Sequence, residues 1–181
     1  MIILFFSGKN ISSRQTDIII KWSDTTRLTY ADFKGAQAPP KDSVARPDTL
    51  AVINAEIKYK LDISTGRQKI HAYGIMYPEH SWMKVRWPSL LKHEQGHFDI
   101  AEIYARKFEK RVNDTVFNDL PDFFTFIAAS LKDVVAELNA EQDKYDKWTM
   151  NNLGRDYYYQ WIHDQLYPSN KPDSAIKSSP F

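Results

Sequence analysis

The chain has 181 residues, a formal net charge of +1 at pH 7 and no cysteine. This length suits one domain with a sizeable core and is too short for two full ones. The near-zero charge gives no electrostatic reason to expect nucleic acid or an anionic membrane as a partner. Without cysteine, disulfides and thiolate ligands are excluded, so a zinc site would have to use nitrogen and oxygen atoms.

The N-terminal segment, residues 1–16, begins with an apolar run over residues 1–6. This run lacks a basic region and is far shorter than the roughly 20 apolar residues that cross a bilayer. We therefore expect either a packed N-terminal arm or the end of an export signal. The second alternative predicts a secreted or periplasmic protein. No other stretch is long and apolar enough to predict a membrane span.

The first half of the chain predicts β-strands. An apolar run at residues 17–22 predicts the first strand, and a proline-containing loop is expected at residues 36–48. Apolar and polar side chains alternate strictly over residues 53–63, which is typical of a strand with one buried face. A turn at residues 64–67 would return the chain as a hairpin partner at residues 69–77.

The second half predicts three helices. Proline at the start and an apolar stripe predict the first helix over residues 88–113, and helical spacing of apolar residues predicts the second over residues 121–149. A third helix is predicted over residues 155–166, followed by a disordered tail at residues 168–181. A sheet followed by helices predicts the α+β class, with one domain over residues 17–167.

One short motif inside the first helix predicts chemistry, namely the run His93-Glu94-Gln95-Gly96-His97. Two histidines four residues apart on a helix differ by only about 40° in direction, so both imidazoles can reach one metal ion. Zinc peptidases use this arrangement, in which Zn²⁺ lowers the pKa of water to roughly 7 and a nearby carboxylate accepts the proton. We therefore predict Zn²⁺ on His93 and His97, with Glu94 as the general base. The alternative is a solvated helix face with no ligand.

Gly96 favours a metal site over a solvated helix face. A glycine inside a helix costs up to about 1 kcal/mol relative to alanine. We expect it where the backbone lies close to a neighbouring strand or to a substrate.

A catalytic zinc ion takes three protein ligands, and the motif supplies two. The remaining histidines and carboxylates considered are His71, His80, His163, Asp99, Glu102, Glu137, Glu141 and Asp146. Around the helix, Glu102 lies about 180° from His93, and Asp99 lies about 160° from His97, so neither can close the site. The third ligand is therefore expected from the second helix or the segment after it.

Residues 91–106, LKHEQGHFDIAEIYAR, resemble the signature of the bacterial domain-of-unknown-function family 922. Residues 27–35 and the pair Ser81-Trp82 resemble further segments of that family. The resemblance implies a secreted zinc-dependent protease with a zincin-like fold. In such a fold an edge strand beside the active helix can hold a peptide or protein substrate in extended form. Here that strand would be residues 81–86 or residues 69–77.

The chain departs from the family pattern at one position. In that pattern a Tyr-Asp pair is followed by a Thr and, two residues later, by a His that can serve as the third ligand. Tyr145, Asp146 and Thr149 are present, but Asn151 stands in place of the His. An amide oxygen is a poor zinc ligand. Asp146 is our predicted third ligand, with Asn151 and His163 as alternatives. If Asp146 is not a ligand, we expect it to be a solvated carboxylate.

These observations predict a zinc-dependent metallopeptidase. The alternative is a non-catalytic zincin-fold binding or scaffold protein with a degenerate metal site. Tyr145 or His71 could donate a hydrogen bond to an oxyanion, although a core tyrosine with its hydroxyl at the surface is the simpler interpretation of Tyr145. Glu102 is interpreted as the acceptor for a ligand histidine or as a solvent or partner contact.

Overall fold

The computed structural model describes residues 17–36, 49–62, 67–149 and 154–168. Five predictions therefore lie wholly or mostly outside the described residues. These are the N-terminal arm or export signal at 1–16, the loop at 36–48, the turn at 64–67, the tail at 168–181 and a ligand role for Asn151.

Five strands precede three helices in the described ranges. The strands are β1 (Ile20–Lys21), β2 (Ala51–Val52), β3 (Ala55–Asp62), β4 (Lys69–Met76) and β5 (Trp82–Met83). The helices are α1 (Pro88–Asn113), α2 (Leu120–Thr149) and α3 (Arg155–Leu166). This content confirms the predicted α+β class. None of the described helices is both long and apolar enough to cross a membrane.

The larger sheet has the order β1-β4-β3 and is antiparallel, and β2 and β5 form a separate antiparallel pair. The predicted hairpin is confirmed, with Ile57 opposite Gly74 and Lys60 opposite His71. Ile57 is buried while Lys60 is exposed, as the alternating pattern requires.

Helix α1 packs against β4 on one side and against α2 on another. Its apolar residues are buried together with those of the sheet and the other helices, so α1 runs through the middle of the core. Pro88 occupies the first turn, where a missing N–H costs nothing.

Side chains of α1 occupy the edge of β4 that faces away from β3. The backbone N–H groups of Ile70, Ala72 and Gly74 donate to Asn113 Oδ1 (2.9 Å), Glu109 Oε2 (2.6 Å) and Glu102 Oε2 (2.8 Å), respectively. Of the two edges predicted for an extended substrate, the one at residues 69–77 is therefore closed at Ile70, Ala72 and Gly74, because these donors are already satisfied, and residues 81–86 stay as the other prediction. A Cβ atom at Gly74 would lie 2.9 Å from the backbone nitrogen of Glu102, so glycine at this position permits the close approach of β4 to the backbone of α1.

Candidate metal centre

The two histidines of the motif face the same direction. Their Nε2 atoms lie 3.1 Å apart, and the ring planes are nearly perpendicular, at 88°. Both side chains are mostly buried between α1 and α2. The helical geometry predicted from the four-residue spacing is therefore present.

Asp146 of α2 completes a group of three possible ligands. Its Oδ1 atom lies 3.0 Å from His93 Nε2 and 2.9 Å from His97 Nε2. The Asp146 side chain is 51% exposed, so the group can be reached from solvent on this side. No other such cluster of histidine and carboxylate side chains is found within the part of the chain that the structure describes.

The spacing and chemistry of these three atoms fit a zinc ion. Ligand atoms about 2.0–2.1 Å from a tetrahedral ion lie about 3.3 Å from one another, slightly farther apart than the distances found here. Two imidazole nitrogens and one carboxylate oxygen are donors that zinc accepts, and three protein ligands is the number that catalytic zinc sites use.

The other candidate ligands lie elsewhere. His163 is exposed on α3 beside Asp164, and His71 is exposed with its Nδ1 atom 3.8 Å from Glu109. Glu137 pairs with Lys107 and Arg111. Glu141 is buried and accepts hydrogen bonds from the hydroxyl groups of Tyr104 and Tyr158. His163 is therefore not the third ligand, and the oxyanion role considered for His71 has no geometric support.

Tyr145 lies directly against both imidazoles. Its ring stacks on His93 with centroids 4.8 Å apart and meets His97 edge-on at the same distance. The hydroxyl is buried and donates to the backbone carbonyl of His93 at 3.1 Å. The interpretation of Tyr145 as a core residue with its hydroxyl at the surface is therefore right about the ring and wrong about the hydroxyl. The other interpretation, a hydrogen bond to an oxyanion, is not supported, because the hydroxyl donates to a backbone carbonyl.

Gly96 accommodates this tyrosine. A Cβ atom at position 96 would overlap the Tyr145 hydroxyl oxygen and would lie 2.5 Å from Cζ of the same ring. The prediction that Gly96 approaches a strand or a substrate is therefore wrong. The close neighbour is a side chain of α2.

Two further residues of α2 bind the histidine rings. Gln142 was not identified from the sequence, and Thr149 was named only as part of the family pattern, without this role. Gln142 contacts His97 Nδ1 through Oε1 and donates from Nε2 to the His97 carbonyl at 3.0 Å. Thr149 Oγ1 lies 3.1 Å from His93 Nδ1. The usable signal was the spacing of Gln142, Asp146 and Thr149, which places the three on one face of a helix.

The family comparison covers this whole arrangement. The family of bacterial proteins of unknown function, DUF922, matches residues 49–153. The chain belongs to this family. The match spans β2 to the end of α2 and therefore includes all the residues of the candidate metal centre, whereas residues 27–35 lie outside it. Searches of curated proteins and of solved structures found no match.

Glu94 is the buried acid of this DUF922 protein's motif. Its side chain is almost inaccessible, and burial raises its pKa to about 7. A carboxyl group with this pKa can exchange a proton near neutral pH, as a general base must.

The ligand side chains influence one another electrostatically. Burial acts to raise the pKa of Asp146, but hydrogen bonds from the protonated rings of His93 and His97 outweigh this effect and hold that pKa well below its usual range. Burial lowers the pKa of His93. It acts in the same direction on His97, but Asp146 and Glu94 together raise the pKa of that ring.

The opposite face of α1 binds Trp22 and Leu28, which precede the first helix, in this DUF922 protein. Asp99 accepts hydrogen bonds from Trp22 Nε1 and Gln95 Nε2, both at 2.8 Å, and Gln95 Oε1 accepts the Leu28 N–H. Glu102 is buried against Gly74 and Arg106, so it is neither a partner of a ligand histidine nor a solvent contact. The expectation that Asp99 and Glu102 do not join His93 and His97 in one site is confirmed.

Proposed function

We propose that this protein is a zinc-dependent metallopeptidase with a zincin-like fold. His93, His97 and Asp146 would hold the ion, and Glu94 would act as the general base. The observation that carries the proposal is the convergence of two Nε2 atoms and one carboxylate oxygen within 3.1 Å, beside a buried glutamate.

The protein residues would divide the chemistry as follows. Zinc with three protein ligands lowers the pKa of water to about 7 and polarises a carbonyl group. Glu94, whose pKa burial raises to about 7 in the metal-free protein, would accept the proton of the attacking water and return it to the departing amine. Tyr145 and the surrounding core hold the two imidazoles in place, so little reorganisation is needed during the reaction.

The closed edge of β4 leaves residues 81–86 as the predicted substrate edge and is also compatible with a second candidate function. An extended peptide cannot add to this strand next to α1, because Glu102, Glu109 and Asn113 already satisfy its N–H groups. A protein that retains the metal centre for binding or stability, without turnover, is consistent with this observation. The two candidates differ in whether the zinc-loaded protein hydrolyses peptides.

Metal content tests the metal centre, which both candidate functions require. We expect about one zinc ion per chain in purified wild-type protein, measured by plasma emission spectroscopy after dialysis. His93→Ala and Asp146→Asn should each lose the ion. Asp143→Asn, which changes an exposed carboxylate on the same helix, is the matched control and should retain it. Absence of zinc from the wild type after incubation with the ion would refute the metal centre.

Peptide hydrolysis then separates the candidates. The zinc-loaded protein is incubated with a mixture of quenched fluorescent peptides, and we expect cleavage that Glu94→Gln reduces at least about 100-fold while zinc is retained. Glu79→Gln, an exposed glutamate outside the site, should leave the rate unchanged. A wild type that binds zinc but cleaves no peptide supports the non-catalytic candidate.

A further inference from the structure

Thr149 determines which nitrogen of His93 carries a proton. Its Oγ1 atom lies 2.5 Å from the Tyr145 carbonyl oxygen, which can only accept a hydrogen bond, so the single hydroxyl proton is used there. Towards His93 Nδ1, 3.1 Å away, the hydroxyl can therefore act only as an acceptor. Nδ1 must be the protonated nitrogen of His93.

Gln142 imposes the same tautomer on His97 by a different route. Its amide nitrogen donates to the His97 carbonyl oxygen at 3.0 Å, which fixes the orientation of the side-chain amide. The amide oxygen then faces His97 Nδ1 and can only accept. Nδ1 of His97 must also carry its proton.

These two assignments leave the centre of the site without a proton. A neutral imidazole has one N–H, so both Nε2 atoms present lone pairs, 3.1 Å apart. Asp146 Oδ1, another acceptor, lies 2.9 and 3.0 Å from them. When both rings are neutral, three acceptors this close repel one another, and either a proton taken up at Nε2 or a metal ion relieves the repulsion.

We infer that Gln142 and Thr149 are positioning residues that lock both ligand histidines in the Nδ1–H tautomer and thereby aim both Nε2 lone pairs at the metal. Neither residue touches the ion. The inference rests on the proposed metal centre, but it does not require that the protein hydrolyse peptides. Hydrogen-bond partners of this kind typically change metal affinity by 10–100-fold.

Zinc affinity is the first test, measured by competition with a chromogenic chelator. Thr149→Val keeps the shape of the side chain but removes the acceptor, and we expect about 10–100-fold weaker binding. Thr149→Ser retains the hydroxyl and should remain within about twofold of the wild type. For His97, Gln142→Leu should weaken binding by a similar factor. Wild-type affinity in Thr149→Val and Gln142→Leu would overturn the inference.

The tautomers themselves provide a readout that general destabilisation would not reproduce. Nitrogen-15 NMR of the imidazoles in metal-free protein is recorded over a pH titration, because Asp146 and Glu94 raise the pKa of His97. At the pH where both rings have become neutral, the spectra should show Nδ1–H on both rings. In Thr149→Val, His93 should shift towards Nε2–H while His97 keeps its tautomer, and Gln142→Leu should do the reverse. If Thr149→Val does not fold, Thr149→Ala is measured instead.

The possible failures are distinguishable. Nε2–H on either ring of the wild type would overturn the inference, even if the protein binds zinc and cleaves peptides. Nδ1–H tautomers that respond as expected to the two variants, in a protein that binds zinc but cleaves no peptide, would support the inference and reject the peptidase function.

Discussion

At the scale of single residues, the centre depends on how closely Tyr145 approaches α1. The ring lies against both imidazoles, and only glycine at position 96 leaves space for its hydroxyl. The sequence predicted His93, Glu94 and His97 as a group because helical spacing is a local property. It did not predict the partner of Gly96, because that partner lies about 50 residues away and is set by the packing of two helices.

Gly96→Ala tests this contact. Alanine favours a helix by up to about 1 kcal/mol, whereas the overlap with the Tyr145 ring should cost about 1–3 kcal/mol, so we expect net destabilisation and weaker zinc binding. Urea unfolding and chelator competition measure the two effects. Tyr145→Phe, which removes the hydroxyl oxygen, should partly restore stability when combined with Gly96→Ala. A Gly96→Ala variant more stable than the wild type would show that the ring moves aside at little cost.

Glu94 makes the stability of the metal-free protein depend on pH. Its pKa of about 7 in the folded chain lies above the ordinary value of 4.5, so between these two pH values the folded state holds a proton that the unfolded state releases. The contribution of Glu94 to the free energy of unfolding therefore falls as pH rises from about 4.5 to about 7.

Glu94→Gln should remove this dependence. With a chelator present, the variant should be more stable than the wild type by about 1–3 kcal/mol at pH 8 and about equally stable at pH 4. Urea unfolding at the two pH values measures the difference, and Glu79→Gln is the exposed control. Equal stability of Glu94→Gln and wild type at pH 8 would contradict the effect of burial.

At the scale of elements, the helices and the β3–β4 hairpin were predictable along their length, whereas the short strands β1 and β5 were predicted with bounds that are too wide. Proline and apolar spacing define α1, and strict alternation defines β3, so both are local properties of the sequence. β1 covers only Ile20–Lys21 rather than residues 17–22, because it pairs with β4 only at Ile75 and Met76. Farther along that edge, the N–H groups of β4 bind side chains of α1, which no local pattern reveals.

Asn113→Ala tests this junction of helix and sheet. Asn113 donates to the Ile70 carbonyl and accepts its N–H, both at 2.9 Å, so the substitution leaves two backbone groups unpaired. We expect a loss of about 1–3 kcal/mol in the free energy of unfolding, with zinc affinity unchanged. Asp114→Ala, at an exposed neighbouring position, should cost less than about 1 kcal/mol. A loss of zinc binding in Asn113→Ala would mean that the junction and the metal centre are coupled.

At the scale of the whole molecule, the candidate metal centre joins the two longest described helices. Two of its possible ligands come from α1 and the third from α2, so an ion bound there would link elements that are separated in the sequence. The third ligand was predicted as Asp146, and the structure places it with the two histidines. That choice came from the family pattern and from geometric exclusion, since sequence spacing alone cannot show how two helices pack.

Zinc should therefore stabilise the whole fold. At a free concentration 100 times the Kd, binding contributes about 2.7 kcal/mol, which corresponds to a rise in Tm of roughly 5–11 °C for a chain of this size. Calorimetry with and without zinc measures the rise. Asp143→Asn should show it in full and Asp146→Asn should not. An equal rise in Asp146→Asn would place the stabilising ion elsewhere.

The occupied edge of β4 also affects how the protein behaves at high concentration. Exposed strand edges are templates on which other copies of a chain add strands and form aggregates. Here a second copy cannot reach the N–H groups of Ile70, Ala72 and Gly74 until α1 leaves the sheet. Asp146 lies on α2, so His93 and His97 would separate from it only if α1 also left α2. A bound ion would tie α1 to α2, and we therefore expect added zinc to slow self-assembly through this edge.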